Sequence, residues 1–331
     1  MQQKGFTLIE IMISLFIGGL ILGGVMFTYI SMKVTTKDTM AIGELQESGR
    51  LAINIMQRDI EQVGFWGTFY DDAFVADNTS SLPNSGSDCF EGLNNGSFPD
   101  LTSSSNFRAI YAKTASAATE LNCVKSATKG SDILQVKFLQ GHQIFAETGN
   151  NETQSDENYF IAEQEQAQFY RGIVNPDTLN LNATIWPYSH HVYYISEQTY
   201  KLNNKNLTVP VLMRKRLAGE NIVTETIMEG VENMRFVFGL DTSSDGRVDT
   251  YRSINNMTAS DWENRKGVLT VQVFLLIRTL QPDAGVKINN QQYVLGEDDD
   301  KRELSFKDNF RRTVFTTTIR LNNIGSNLWR I

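Results

Sequence analysis

Apolar and polar positions fall into three regimes along this 331-residue chain. From Phe6 to Met32 nearly every residue is apolar or small, and no charge lies between Glu10 and Lys33. As a helix rising about 1.5 Å per residue, that uncharged stretch is roughly 30 Å long, the thickness of a bilayer's hydrocarbon core. It predicts a membrane-crossing helix over residues 6–32. Tyr29, Ile30, Ser31, Met32 and Lys33 close the run where a secretory signal would carry small residues at a cleavage site, so the segment reads as retained. Beyond Lys33 the pattern turns amphipathic, with Ile42, Leu45, Ile53, Met56, Ile60 and Val63 at helical spacing and Glu44, Glu47, Arg50, Arg58 and Asp59 mostly on other faces. The helix is therefore expected to continue over 33–64, ending where Gly64 and Gly67 flank Phe65-Trp66.

From residue 65 to 331 the texture is that of strands. Short β-rich runs at Ile133–Leu139, Tyr159–Ala162, Phe169–Val174, Val192–Ile195, Val209–Leu217, Met234–Leu240, Val268–Leu280 and Thr313–Leu321 are separated by Ser, Asn, Gly and Asp clusters. No helical period intervenes, which favours antiparallel sheet over βαβ units. Residues 77–106 are polar and rich in Gly, Ser and Asn.

Composition narrows the function classes. With 41% hydrophobic residues and only six prolines the chain can bury a substantial core, which excludes disorder and collagen-like repeats. A net charge of −8 argues against nucleic-acid binding by diffuse phosphate attraction, leaving any such role to a local basic patch. Cys89 and Cys123 are too far apart for a CxxC redox or zinc pattern. In an oxidising compartment they would form one disulfide, tethering the polar excursion over 77–106.

Glu10 is the anomaly of the apolar run, since an ionised carboxylate there costs a few kcal/mol unless it is paired or at the interface. The stretch Lys4-Gly5-Phe6-Thr7-Leu8-Ile9-Glu10, opening a hydrophobic helix, resembles the class III signal of type IV prepilins. The resemblance implies that a membrane-embedded prepilin peptidase cuts after Gly5 and methylates the new amino terminus at Phe6. It also implies that Glu10 pairs with the amino-terminal charge of a neighbouring subunit. Residues 1–5 would be a cytoplasmic leader, 6–32 a transmembrane helix and 65–331 a periplasmic domain. Gly18, Gly19, Gly23 and Gly24 suit close packing against another membrane helix, with Gly19 and Gly23 at GxxxG spacing. They also mark a stretch expected to loosen in an assembled filament.

Later segments resemble the PilW minor pilins, with the J-type minor pseudopilins of type II secretion as relatives. The similar segments are Leu45-Gln46-Glu47-Ser48-Gly49-Arg50-Leu51-Ala52, Arg58-Asp59-Ile60 with Val63-Gly64-Phe65, Glu229-Gly230-Val231-Glu232-Asn233-Met234 running on to Phe238-Gly239-Leu240-Asp241, and Arg312-Thr313-Val314-Phe315-Thr316-Thr317-Thr318. Residues 70–220 match weakly.

Asp241, Ser243, Asp245, the Arg247 carbonyl and Asp249 have the spacing of an EF-hand-like calcium loop, but Arg252 stands where the bidentate glutamate belongs. Asp, Ser and Gly also build hairpin turns, and a turn between Phe238 and Tyr251 is the favoured reading, with calcium as the alternative. Glu297, Asp298, Asp299 and Asp300 read as a solvated loop, offset by Lys301 and Arg302. His190-His191, near Trp186 and Tyr188, reads as strand packing ahead of a ligand platform. Met213-Arg214-Lys215-Arg216 reads as the outward side of an edge strand, ahead of a DNA-backbone contact. Catalytic motifs are missing: there is no GxSxG, HExxH, P-loop or GxGxxG, and the SxxK match at Ser126 and Lys129 lacks its partner elements.

The expectation is an α+β, type IV pilin-like fold in which a long amino-terminal helix packs on a large antiparallel β domain. The implied function is that of a non-catalytic minor pilin, anchored in the inner membrane and then built into the filament at or near its tip. There it would help initiate assembly and support motility, adhesion or DNA uptake. Implied partners are the prepilin peptidase, other minor pilins, the major pilin and a large tip adhesin, with direct DNA contact a further possibility. A type II secretion pseudopilin or a tip adhesin are the alternatives. No cofactor is expected beyond the calcium alternative.

Overall fold

The computed structural model describes residues 5–324 apart from 72, 148, 203–204, 265–266, 283–289 and 298–299. Its helix α1 runs unbroken from Leu8 to Glu61. Thr7 is its N-cap and Glu10 its N3 residue, a reciprocal capping box. The chain leaves the helix through Gln62 and turns at Gly64, whose φ of +89° is the left-handed region glycine favours.

Two halves of α1 meet different surroundings. Large apolar side chains from Phe6 to Met40 are exposed, whereas Leu45, Gly49, Ala52, Met56, Asp59 and Ile60 are buried. Steps of three and four residues keep that set on one stripe, and the stripe is what the β domain covers. Ile42 stays exposed and Ile53 half-buried, so the covered stripe begins three residues later than the apolar pattern suggested. At Gly49 a Cβ would overlap the Phe315 ring, so a side chain there would hold the helix off the sheet.

Sixteen strands follow in the described residues: β1 (Thr79–Ser80), β2 (Ile110–Thr114), β3 (Asp132–Leu139), β4 (Ala146–Glu147), β5 (Asn150–Asn151), β6 (Asn158–Ala162), β7 (Ala167–Arg171), β8 (Thr184–Leu202), β9 (Lys205–Ala218), β10 (Asn221–Glu229), β11 (Val231–Leu240), β12 (Thr250–Ser253), β13 (Val268–Arg278), β14 (Gln291–Leu295), β15 (Arg302–Phe306) and β16 (Arg312–Arg320). The larger sheet runs β1-β7-β6-β8-β3-β2, with β9 on β8 and β10 on β9. A second sheet has the order β12-β11-β13-β16, and β14 pairs with β15. Every pairing is antiparallel except β1 with β7. The architecture is therefore α+β, a long amino-terminal helix on mostly antiparallel sheet.

One apolar core joins the helix stripe to both sheets, through Met56 and Ile60, Val136 and Tyr193, and Phe236 and Val273. A second core is aromatic: Trp66, Phe74, Phe107, Phe160, Phe169 and Tyr188 meet mostly edge to face. The sheets are also stitched by Asp132 at the start of β3, which accepts from the Phe236 amide at 2.9 Å and from Arg302 at 2.5 Å. Residues 81–109 carry no strand and wrap the larger sheet as loop.

Candidate processing and assembly site

Gly5 and Phe6 precede the N-cap, outside the helical hydrogen-bond ladder, and Phe6 is fully accessible at 87% exposure. A protease needs its substrate backbone extended and free, and Thr7, with φ −78° and ψ 150°, keeps the helix from starting before that bond. The capping box gives Glu10 a local partner. Its Oε2 accepts from the Thr7 amide at 2.9 Å and the Thr7 hydroxyl at 2.8 Å, and the Glu10 amide donates back to Thr7 Oγ1 at 3.4 Å. A negative group on the first turn also complements the helix dipole. The Thr-x-x-Glu spacing is the sequence signal that the reading of Glu10 as an unpaired acid passed over, and the cap gives the carboxylate a role within its own chain.

Along the apolar half the helix satisfies its own hydroxyls. Ser14 donates to the Glu10 carbonyl at 2.7 Å, Thr28 to Gly24 at 2.9 Å and Thr35 to Ser31 at 3.0 Å, so these three hydroxyls are satisfied inside the helix. Gly18, Gly19, Gly23 and Gly24 lie within continuous helix, and a Cβ at any of them would meet nothing within 4 Å. The fold of the single chain gives no reason for these glycines. This helix is long and apolar enough to cross a membrane.

Cys89 and Cys123 form a disulfide, both ends buried. It closes a loop of sequence separation 34, worth roughly 3–4 kcal/mol by the loop-entropy relation. The excursion is held by more than sulfur. Asp88 accepts from the Cys89 amide, the Ser97 amide and the Ser97 hydroxyl at 2.6–2.7 Å, and Gln135 on β3 donates to the Cys89 carbonyl at 2.7 Å. Ser97 in turn contacts His190 Nδ1 at 2.8 Å. Since Asp88 takes the Ser97 proton, His190 donates from Nδ1, which leaves Nε2 without a hydrogen-bond partner. Beside it on β3 lies Lys137, fully buried, donating to the Arg108 carbonyl at 2.8 Å. Burial pulls the Lys137 amine down to about 7 and, with Lys137 alongside, pushes His190 well below its ordinary value.

The Asp241 loop is organised as a turn. Asp241 accepts from the amides of Ser243, Ser244, Asp245 and Gly246 at 2.6–3.3 Å, and Asp249 accepts from those of Thr242 and Ser243 at 2.8 and 2.9 Å. Asp245 bonds the Arg247 amide at 2.8 Å. The Thr242 amide and hydroxyl hold Asp249 below the usual carboxylate range. Side-chain oxygens that calcium would need thus face backbone amides, and among the described residues no three His, Cys, Asp or Glu side chains converge for a metal. These hydrogen bonds are those of a turn between β11 and β12.

One sequence expectation meets a different environment. Met213–Arg216 does not lie on an edge, because β9 runs between β8 and β10. Arg214 and Arg216 share Glu225 at 2.7 and 2.9 Å, and Arg214 also approaches Asp59 on α1 at 3.7 Å. Buried Asp59 accepts from Tyr193 at 2.5 Å and contacts His191 Nδ1. The local sequence could not show this, because the helix carboxylate that captures Arg214 is far away in the chain. His190 and His191 are buried, as expected for strand packing. Asp298 and Asp299 lie outside the described residues; Asp300 accepts from Asn256 at 3.1 Å and pairs with Arg235 at 3.6 Å.

Residues 192–323 match the family model described as Type IV Pilus-assembly protein W, and residues 1–26 match the prokaryotic N-terminal methylation motif. No curated protein and no solved structure matches the chain.

Proposed function

Starting from a chain that is a PilW-like type IV pilin with a prepilin signal, we propose that it is a non-catalytic minor pilin that helps initiate pilus assembly at or near the filament tip. The carrying observation is the division of α1: one half is uncovered and carries no charge between Glu10 and Lys33, the other is clamped to the β domain. A subunit built this way is inserted first in the inner membrane with its globular domain in the periplasm. It then enters a filament by exchanging lipid around residues 6 to about 40 for the helices of neighbouring subunits, where packing replaces lipid contact. Residues 1–5 are the leader. The peptidase cuts after Gly5 and methylates Phe6, and the ammonium so created is the charge that Glu10 of a neighbour meets. Other minor pilins, the major pilin and a large tip adhesin are the partners, and motility, adhesion or DNA uptake belong to the assembled pilus.

The amino-terminal mass of the protein from native membranes, with and without active prepilin peptidase, tests the reading. An N-methylated Phe6 terminus that disappears with the peptidase supports it, and an intact Met1 in both samples overturns it.

A further inference from the structure

β16 is an open sheet edge without the devices that usually close one. It spans nine residues, bonds β13 on one side in an unshifted register, and has no strand on its other side among the described residues. Nor, among those residues, does any backbone hydrogen bond leave 313–319 outside the β13 ladder. An edge strand offers its outward N–H and C=O groups to any extended chain, and proteins blunt it with charges, proline, bulges or short length. β10, the comparable edge of the larger sheet, carries Glu225 and a register shift between Thr226 and Met228, and β12 has only four residues. The β16 stretch Thr313-Val314-Phe315-Thr316-Thr317-Thr318-Ile319 has no charge, glycine or proline and is rich in β-branched side chains. Thr313, Thr316 and Thr318 are exposed.

Contacts with α1 set the direction of this edge. Arg311, just before β16, pairs with Asp38 at 2.9 Å, Phe315 packs on Gly49, and Asn323, just after β16, donates to the Glu61 carbonyl at 3.2 Å. From residue 38 to 49 the helix rises about 16 Å, and from 311 to 315 the strand advances about 13 Å. β16 therefore runs beside α1 in the same sense, starting where the uncovered part of the helix ends.

We propose that the outer edge of β16 takes up an extended strand from a different pilin subunit of the same membrane, an inference that rests on the minor-pilin reading. A neighbour whose helix packs along residues 6 to about 40 brings its own globular domain to the height at which β16 begins, so the edge continues the helix interface. Antiparallel pairing of two copies across this edge would turn their helices in opposite directions, which one bilayer does not allow, and that favours a different subunit. Main-chain hydrogen bonds supply the attraction. The uncharged Thr and Val side chains along the edge suit a strand that is itself uncharged opposite them.

Hydrogen exchange on the full chain tests this, with the chain purified in detergent alone and after co-expression with the other pilin subunits of its host. Alternate residues of an edge strand point their N–H groups outward, so an added strand should slow every second amide of residues 313–319 by about tenfold or more and leave β10 unchanged. Thr316→Pro and Thr317→Pro are the paired variants: one removes an outward N–H, the other an N–H that bonds β13, and thermal melts tell them apart. The outward variant should keep the parent's melting temperature and lose the alternating protection; if both variants fail to fold, the exchange pattern of the parent decides. Co-purification of pilin subunits with no slowing in β16, or with slowing that does not alternate, overturns the inference and leaves the minor-pilin reading intact. An outward variant that retains the alternating protection does the same. Failure of every pilin subunit to co-purify overturns that reading and the inference with it.

Discussion

Lys137 is a fully buried amine in the β domain whose charge depends on pH near neutrality. Its amine titrates at about 7 in the folded protein and at the ordinary 10.5 when unfolded, because burial penalises the charged form. Between those values the unfolded chain binds a proton that the folded one does not, so stability rises with pH from about 7 upward. Below 7 the folded state carries the full penalty, on the order of a few kcal/mol. Lys137→Met is therefore expected to melt no lower than the parent at pH 6.5, and its melting temperature should rise less between pH 7 and 9. Parallel thermal melts across that range check both. Asp241 offers a second single-residue prediction. Removing an acceptor for four amides by Asp241→Ala should cost about 1–3 kcal/mol, by the same amount with and without calcium. Calcium-dependent stabilisation of the parent that the variant loses would favour the calcium alternative over the turn alone.

At the scale of the element, α1 is held where its surface comes closest to β16. Gly49 is buried there because the Phe315 ring occupies the space a side chain would need. Gly49→Leu should lower stability by several kcal/mol, since neither the helix backbone nor a ring packed in the core can move aside cheaply. Hydrogen exchange is expected to quicken first around residues 45–56 and in β16, and unchanged protection there would contradict the contact. The helix stripe, the Gly64 stop and the principal strand runs were readable from periodicity, because each is a local pattern of three-, four- or two-residue steps. Asn221–Glu229 was not, because its central Thr224-Glu225-Thr226 leaves no apolar alternation; pairing with β9 makes it a strand.

For the whole molecule, the question is whether Glu10 acts as a cap within its own chain or as a charge for a neighbour. Glutamine at N3 still completes a capping box, whereas alanine does not. If assembly needs the charge, Glu10→Gln should be as absent from sheared filaments as Glu10→Ala, with both variants still present in the membrane. Filament entry restored by glutamine would assign Glu10 to the cap alone. The covered half of α1 bears on the same question, because a rigid clamp at Asp38, Gly49 and Asp59 lets force on the helix reach the β domain.

By itself the sequence determined the membrane-length helix, its signal, the amphipathic continuation and the antiparallel character of the rest. These depend on neighbours a few residues apart, where hydrophobic spacing and capping chemistry act directly. Only the tertiary structure decided that Arg214 answers Asp59, that Asp132 joins the two sheets and that Lys137, buried beside His190, has its amine pulled down to about 7. It also turned the Asp241 carboxylate onto backbone amides. Each of these sets the charge or direction of a group by partners far away in the chain, and such partners exist only once the sheets have closed.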